Sequence, residues 1–234
     1  MKFLGIIFDF NGVLWWDKHL QEQAWSHFAE QVKGDSLTSE EMAFQVHGRN
    51  NRHTLEFLAG TNLDHEQIEQ LSGQKETIYR DLCLAQGDDF KLSPGAIDLL
   101  DDLVGNEIAR AIATASGKDN LDFFVEYLHL DRWFENENIV YDDGMRPGKP
   151  AADIYLQAAE ILGLNPEECV VVEDSLSGIQ AAHAAGIGYV IAMSTGANYK
   201  HLIGLQGVNL VVENLKQIPW EELLDGSSRN THST

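Results

Sequence analysis

Four stretches of this chain place polar side chains where apolar, strand-like runs stop. In "IIFDFNGVLWWD", residues 6–17, the run halts at Asp9, and Asn11 follows two places on. The run "EIARAIATAS" climbs to Thr114, with Ser116 beyond it. Lys149 sits in "RPGKPAADIY", a loop entering a helix, and "CVVVED" closes on Glu173 and Asp174. Acids at the end of a buried strand are placed to do chemistry, and such sites often set a second acid two positions after the first. Here that position is an amide, which does not titrate near neutral pH and cannot carry a proton. Each feature has a plainer reading: a strand-end acid can cap the next helix, a loop lysine can be solvated, and Thr114 can be a turn residue. Together, at one edge of one sheet, they make a candidate active site.

The elements that must position them read as follows. Residues 3–10 form a short, uniformly apolar run, as expected of a strand buried on both faces. From about 18 to 87 the pattern is helical: Leu20, Ala24, Phe28 and Val32 recur at near-helical spacing, with Trp25 alongside. Thr38 with Glu41, and Asp64 with Gln67, are capping-box helix starts. After the linker-like "GDDFKLSPG" (87–95) the rhythm becomes helix, strand, helix, strand, which predicts βαβ units and a parallel sheet. The expected strands end near Thr114, at "CVVVED", at "GYVIAM" and at "VNLVVENL". The tail, 227–234, is polar and reads as disordered. The fold expected is an α/β, Rossmann-like three-layer core with a parallel sheet, interrupted after its first strand by an all-helical insert. The division is 1–15 and 93–226 for the core and 16–92 for the insert. Ligands of open parallel sheets bind beyond the carboxyl ends of the strands, so the insert would sit over the site as a lid.

Bulk composition narrows the partners. Sixteen Lys and Arg against 37 Asp and Glu give a formal net charge of -21, which disfavours nucleic acid and anionic membrane. Cys83 and Cys169 lie in no metal-ligand spacing and read as reduced thiols. Asp9 interrupts the apolar start and no stretch approaches the roughly 20 apolar residues of a membrane span. The expectation is a cytoplasmic, monomeric, globular protein.

The motifs resemble those of the haloacid dehalogenase-like hydrolase superfamily, and more closely its β-phosphoglucomutase-like branch with a helical cap. "FDFNGVL", "IATAS", "RPGKPAADIYLQAA" and "VVVEDSLSGIQAAHAAGI" stand for its four motifs, in chain order. The resemblance implies Mg²⁺-dependent phosphoryl transfer from a small phosphorylated substrate. Asp9 would attack and form an aspartyl-phosphate. Asp9, the backbone carbonyl of Asn11 and Asp174 would hold Mg²⁺, with Glu173 behind them or acting through water. Lys149 would hold the nucleophile and a phosphoryl oxygen, and Thr114 would donate to the transferred group, with Ser116 beside it on the substrate side. In "HGRNNRHTL", Arg52 fits the position of a substrate-contacting arginine, a solvated helix face being the competing reading. Lys118 and Asn120 follow the second motif as further candidates.

Two departures from the family pattern matter. The family's phosphatases and mutases carry an aspartate where this chain has Asn11, and it serves there as general acid and base. Such catalysis contributes about 10²–10⁴-fold, so ordinary phosphate esters should turn over slowly. Phosphonatases and ion-pumping ATPases of the superfamily manage without that acid. Gln21 stands where the mutase-like proteins have a cap histidine, which disfavours a phosphoglucomutase. Trp15 and Trp16 fall at the hinge between core and cap, where they either wall the pocket or pack the junction. Three readings of Asn11 stay open: a phosphohydrolase for esters with good leaving groups, an impaired phosphometabolite-binding or regulatory protein, or an asparagine introduced to trap a complex. A metal-free dehalogenase is disfavoured by the Glu173–Asp174 pair.

Overall fold

The computed structural model describes residues 2–196 and 198–225, so the tail at 227–234 lies outside the described residues. The first strand, β1 (Gly5–Phe8), is buried along its whole length. It is shorter than the expected 3–10. The Phe10 carbonyl accepts the amides of Val13, Leu14 and Trp15, which turns the chain away from the ladder, while Phe3 bridges Leu224.

Helices follow without a strand: α1 (Lys18–Lys33), α2 (Ser39–Glu41), α3 (Asn51–Ala59) and α4 (His65–Leu84). Leu20, Ala24, Trp25 and Phe28 of α1 are buried, whereas Val32 in its last turn is exposed. Both capping boxes close reciprocally, Thr38 with Glu41 and Asp64 with Gln67. Beyond α2, Met42–Val46 widens into a π-helical turn that leads to Gly48 and Arg49. Trp25, Phe28, Leu55 and Leu58 form a core of these helices, separate from the clusters that flank the sheet. Burial of side chains of this size contributes ~1.5–3 kcal/mol each.

The remaining elements alternate: α5 (Ala96–Gly105), β2 (Ala109–Gly117), α6 (Lys118–Leu128), β3 (Ile139–Asp142), α7 (Asp153–Ile161) and β4 (Cys169–Glu173). After them come α8 (Leu176–Ala184), β5 (Tyr189–Met193), α9 (Tyr199–Ile203), β6 (Leu210–Val212) and α10 (Trp220–Leu223). Among the described residues six strands pair in parallel in the order β3-β2-β1-β4-β5-β6. β3 is an addition to the expected strands. Alternate side chains of β1 face opposite layers: Ile6 and Phe8 pack in one core and Ile7 in the other, giving helix, sheet and helix layers. No described helix is long and apolar enough to cross a membrane.

This order places the site. The chain reverses its direction of build between β1 and β4, and ligands bind at such a switch point. Phe8 is in register with Ile112 on one side and Val172 on the other, so Asp9 emerges beside Glu173. β2 runs past Thr114 to Gly117, with a register shift against β3 after Ala113, which brings Ser116 to the same edge.

Candidate active site

Asp9 follows β1 and keeps 4% of its surface exposed, its amide bonded to the Val172 carbonyl at 2.9 Å. Lys149 Nζ reaches Asp9 Oδ1 at 2.9 Å, Glu173 Oε1 at 2.5 Å and the Ala113 carbonyl at 3.4 Å, which uses all three ammonium protons. Glu173 is saturated in turn. Its Oε1 also accepts from Tyr155 OH at 2.9 Å, and its Oε2 accepts from Asp174 N, Ser175 N and Ser175 Oγ at 2.8–2.9 Å. Glu173 therefore orients Lys149 and the loop after β4, both of its oxygens being already bonded. Gly178 lies against it; a Cβ there would fall 1.6 Å from Glu173 Oε1.

Burial drives the Asp9 carboxyl up to about 7, against the opposing pull of Lys149. For Lys149, burial favours loss of the proton, but the Asp9 and Glu173 carboxylates outweigh it and the ammonium is held. Asp174 is pushed well up, first by burial and then by Glu173, Asp9 and Asp17. Oxygens of Asp9, Glu173 and Asp174 lie within 4.8 Å of one another. Asp174, partly buried and facing three other carboxylates, is short of positive charge, and Asp9 and Asp174, with Glu173 behind them, suit a hard divalent cation. Gly12 makes room for it: its φ is +83°, and a Cβ there would meet Asp174 Oδ2 at 2.2 Å.

Asn11 is locked from both ends. Its Nδ2 donates to Asp17 Oδ2 at 2.6 Å and to Tyr79 OH at 3.3 Å. Its Oδ1 accepts from Ser116 Oγ at 2.9 Å and from Thr114 Oγ1 at 3.4 Å. The carboxylate on one side and the hydroxyls on the other permit only this orientation of the amide. Asp17 itself is fully buried and also accepts from Tyr79 OH at 2.5 Å, Gln21 Nε2 at 3.2 Å and Gly12 N at 3.1 Å. Burial raises its pKa, and the bonds from Tyr79, Asn11 and Gln21 oppose that rise.

The helical segment covers this edge. Arg49 Nη1 donates to the Lys149 carbonyl at 2.9 Å, and Ser177 Oγ donates to the His47 carbonyl at 3.1 Å. Beneath it lies a cavity of about 80 Å³ lined by Asp9, Asn11 and Asp174 below and by Gln21, Arg49 and Lys75 above. Lys75 is 2% exposed, donates to Gln21 Oε1 and Glu76 Oε1, and stands 4.7 Å from the Trp25 ring centroid. Glu76 also accepts from Asn51 and from Asn120, so it joins α4 to the start of α6.

Of the residues singled out from sequence, Asp9, Asn11, Thr114, Ser116, Lys149, Glu173 and Asp174 meet at this edge, and Gln21 lines the cavity. Arg52 does not line it. Its guanidinium is held by Glu56 and the Leu63 carbonyl on a side cleft, while Asn51, about 100° back round the helix, faces the cavity. Trp16 lies at an adjoining groove, and Lys118 forms an ion pair with Asp122 at the surface. Sequence reasoning missed Asp17, Tyr79, Lys75 and Glu76. For Lys75 and Tyr79 the signal was their 75, 79, 83 spacing with Cys83 on one face of a long helix.

The sequence model of the haloacid dehalogenase-like hydrolase family matches residues 3–186. Hexitol phosphatase A of Escherichia coli (strain K12) is 32% identical over 229 residues, covering 93% of this chain and 94% of its own. The beta-phosphoglucomutase of Bacillus subtilis (strain 168) is 29% identical over 224 residues, 94% and 93% of the two chains. A longer chloroplastic uracil-compound phosphatase of Arabidopsis thaliana is 27% identical, and this chain spans 55% of its length. Among solved structures, a family IA, variant 3 hydrolase from Entamoeba histolytica superposes with a TM-score of 0.82 at 33% identity, covering 97% of this chain and 99% of its own. The chain belongs to the haloacid dehalogenase-like hydrolases. Within them it falls in the branch of beta-phosphoglucomutase and the hexitol phosphatases, and it is a hydrolase of the phosphatase kind.

Proposed function

We propose that this protein is a Mg²⁺-dependent phosphohydrolase of a small phosphorylated metabolite, working through an aspartyl-phosphate on Asp9. The observation that carries the reading is the buried Asp9–Lys149–Glu173 chain beside Asp174, with Lys149 Nζ 2.9 Å from Asp9 Oδ1. Names of relatives that act on hexitol phosphates and phosphorylated carbohydrates support the substrate class.

Phosphoryl transfer is mostly a problem of charge and position. Lys149 holds Oδ1 of Asp9, which leaves Oδ2 to attack phosphorus as the bond to the leaving oxygen breaks. Asp9, the Asn11 backbone carbonyl and Asp174 would hold Mg²⁺, whose positive charge would offset the negative charge of the phosphoryl oxygens. Thr114 and Ser116 now give their hydroxyls to Asn11 Oδ1, and they would turn to phosphoryl oxygens when substrate enters. Asn11 cannot protonate the departing oxygen or take a proton from the water that later cleaves the aspartyl-phosphate. The enzyme is therefore expected to favour esters whose leaving oxygens need no proton. The helical segment, 16–92, would act as the lid, and the surface charge favours a monomer.

Hydrolysis of 4-nitrophenyl phosphate, with and without Mg²⁺, tests this. Activity above that of Asp9→Ala and lost on chelation supports the reading. Rates equal to that variant would leave a phosphometabolite-binding or regulatory protein.

A further inference from the structure

Two openings lead away from the cavity over Asp9. One is a groove beside Trp16, reached past Gly12, Lys18 and Asp174. The other is a cleft of about 460 Å³ between α4 and the starts of α3 and α6, reached past Asn51, Glu76 and Ala115. The first passage runs between Gly12 and Asp174, the pair that frames the proposed cation. The second touches no proposed metal ligand. Small-molecule sites measure about 300–1,000 Å³, so the cleft can hold a leaving group where the 80 Å³ cavity takes only the phosphoryl end.

The wall between cavity and cleft carries opposite charges on its two sides. Lys75 lines only the cavity, Asn120 lines only the cleft, and Glu76 lines both. Glu76 Oε1 is filled by Lys75 Nζ at 3.0 Å and Asn51 Nδ2 at 2.7 Å. Its Oε2 accepts one bond among the described residues, from Asn120 Nδ2 at 2.7 Å, and keeps a lone pair to offer. Burial opposes the charge of Glu76, but Lys75, Asn120 and Asn51 outweigh it and hold the carboxyl below its ordinary value. Glu76 is thus a buried anion, with a lysine toward the cavity and its freer oxygen toward the cleft.

The rest of the cleft has the same sign. Glu69, Asp119, Asp142 and Asp143 line it, and burial pushes the Asp142 carboxyl up. Its basic side chains are engaged already: Arg52 with Glu56 and Lys118 with Asp122, acids outside the cleft lining, and His65 with Glu69.

We propose that the cleft takes the far end of the leaving group as an aliphatic ammonium, so that the substrate is a zwitterion with its phosphate beneath Lys75 and its cation against Glu76 Oε2. The carboxylates rank end groups by charge, a cation above a hydroxyl and a hydroxyl above an anion. Glu76 is then a specificity-determining residue, and a second phosphate is barred from the cleft. The inference rests on the phosphatase reading of the site.

One six-carbon chain with three different ends tests it: 1-amino-1-deoxyglucitol 6-phosphate, glucitol 6-phosphate and 6-phosphogluconate. The expected order of kcat/KM is amine, alcohol, carboxylate, with about 10- to 100-fold between first and last. Glu76→Gln leaves Lys75 without its carboxylate and should cut that ratio about tenfold, whereas loss of a merely structural bond would lower all three esters alike. Should Glu76→Gln fail to fold, Glu69→Gln combined with Asp143→Asn, at two exposed positions, should cut the ratio about 2- to 5-fold. A ratio near one in the parent protein, an inverted order, or a ratio that these variants leave unchanged would overturn the proposal. If no ester is hydrolysed above the Asp9→Ala level, the phosphatase reading fails, and titration calorimetry with the same three compounds still decides the cleft. Tightest binding of the amine, weakened in the acid-to-amide variants, supports it, and equal binding of all three, or none, rejects it.

Discussion

Asn11→Asp puts a carboxyl group where the proposed mechanism lacks a proton carrier, yet the structure predicts a cost. The Asn11 amide lies 2.6 Å from Asp17 Oδ2 and donates to it. An aspartate there would set two carboxylates edge to edge in a buried pocket, where Asp17 is fully enclosed. At an effective dielectric near 20 two unit charges at that spacing repel by about 6 kcal/mol, and loss of the charge-assisted bond adds ~1.5–3 kcal/mol. The pair escapes most of this by sharing one proton. Its folded-state pKa then lies above the unfolded carboxylate range, so stability is lost as pH rises through that folded value. Asn11→Asp should match the parent within about 1 kcal/mol near pH 5 and fall behind by ~2–6 kcal/mol near pH 9, on the order of 5–20 °C in Tm for a chain of this size. Asn11→Asp with Asp17→Asn exchanges the two groups and restores an amide–carboxylate bond. That double variant should recover the pH-independent stability and raise ester turnover by about 10²–10⁴-fold. The assays are calorimetric melts from pH 5 to 9 and steady-state hydrolysis. A single Asn11→Asp variant as stable as the parent at pH 9, or a double variant no more stable than the single one there, would refute the reasoning.

Three further outcomes follow from the same geometry. Lys149→Met leaves Asp9 and Glu173 facing without a cation, and urea denaturation should show a loss of ~3–5 kcal/mol; a neutral result would contradict the buried pairing. Asp9, raised to about 7 by burial, must lose its proton to hold a metal, so Mg²⁺ affinity by calorimetry should weaken as pH falls below about 7 and level off above it. Gly12→Ala puts a methyl group against Asp174, so Mg²⁺ affinity should drop by about tenfold or more, an unaltered affinity placing the cation elsewhere.

Much of the site was legible because its residues end strands or enter helices. Asp9, Thr114, Lys149 and Asp174 each interrupt an apolar run or mark a loop, and a parallel sheet gathers such positions at one edge. The capping boxes were legible for a similar reason, since both partners lie within one turn. What was not legible depends on contacts distant in sequence. Asp17 looks like an ordinary acid opening a helix until Tyr79, 62 residues away, is placed against it. The choice between Arg52 and Asn51 turns on where α3 begins, and one residue on a helix changes the face by about 100°. β3 is four residues long and lies among asparagines and acids, too short for periodicity to register.

The central claim is that Asp9 is the nucleophile and that its phosphoryl adduct outlasts its formation because Asn11 cannot serve the second step. Intact-mass analysis of the full chain, incubated with acetyl phosphate and Mg²⁺ and quenched in acid, tests it most directly. The account predicts one phosphoryl adduct, mapped to Asp9 and absent from Asp9→Ala. An adduct on another residue, or turnover of phosphate esters with none trapped on Asp9, would contradict it.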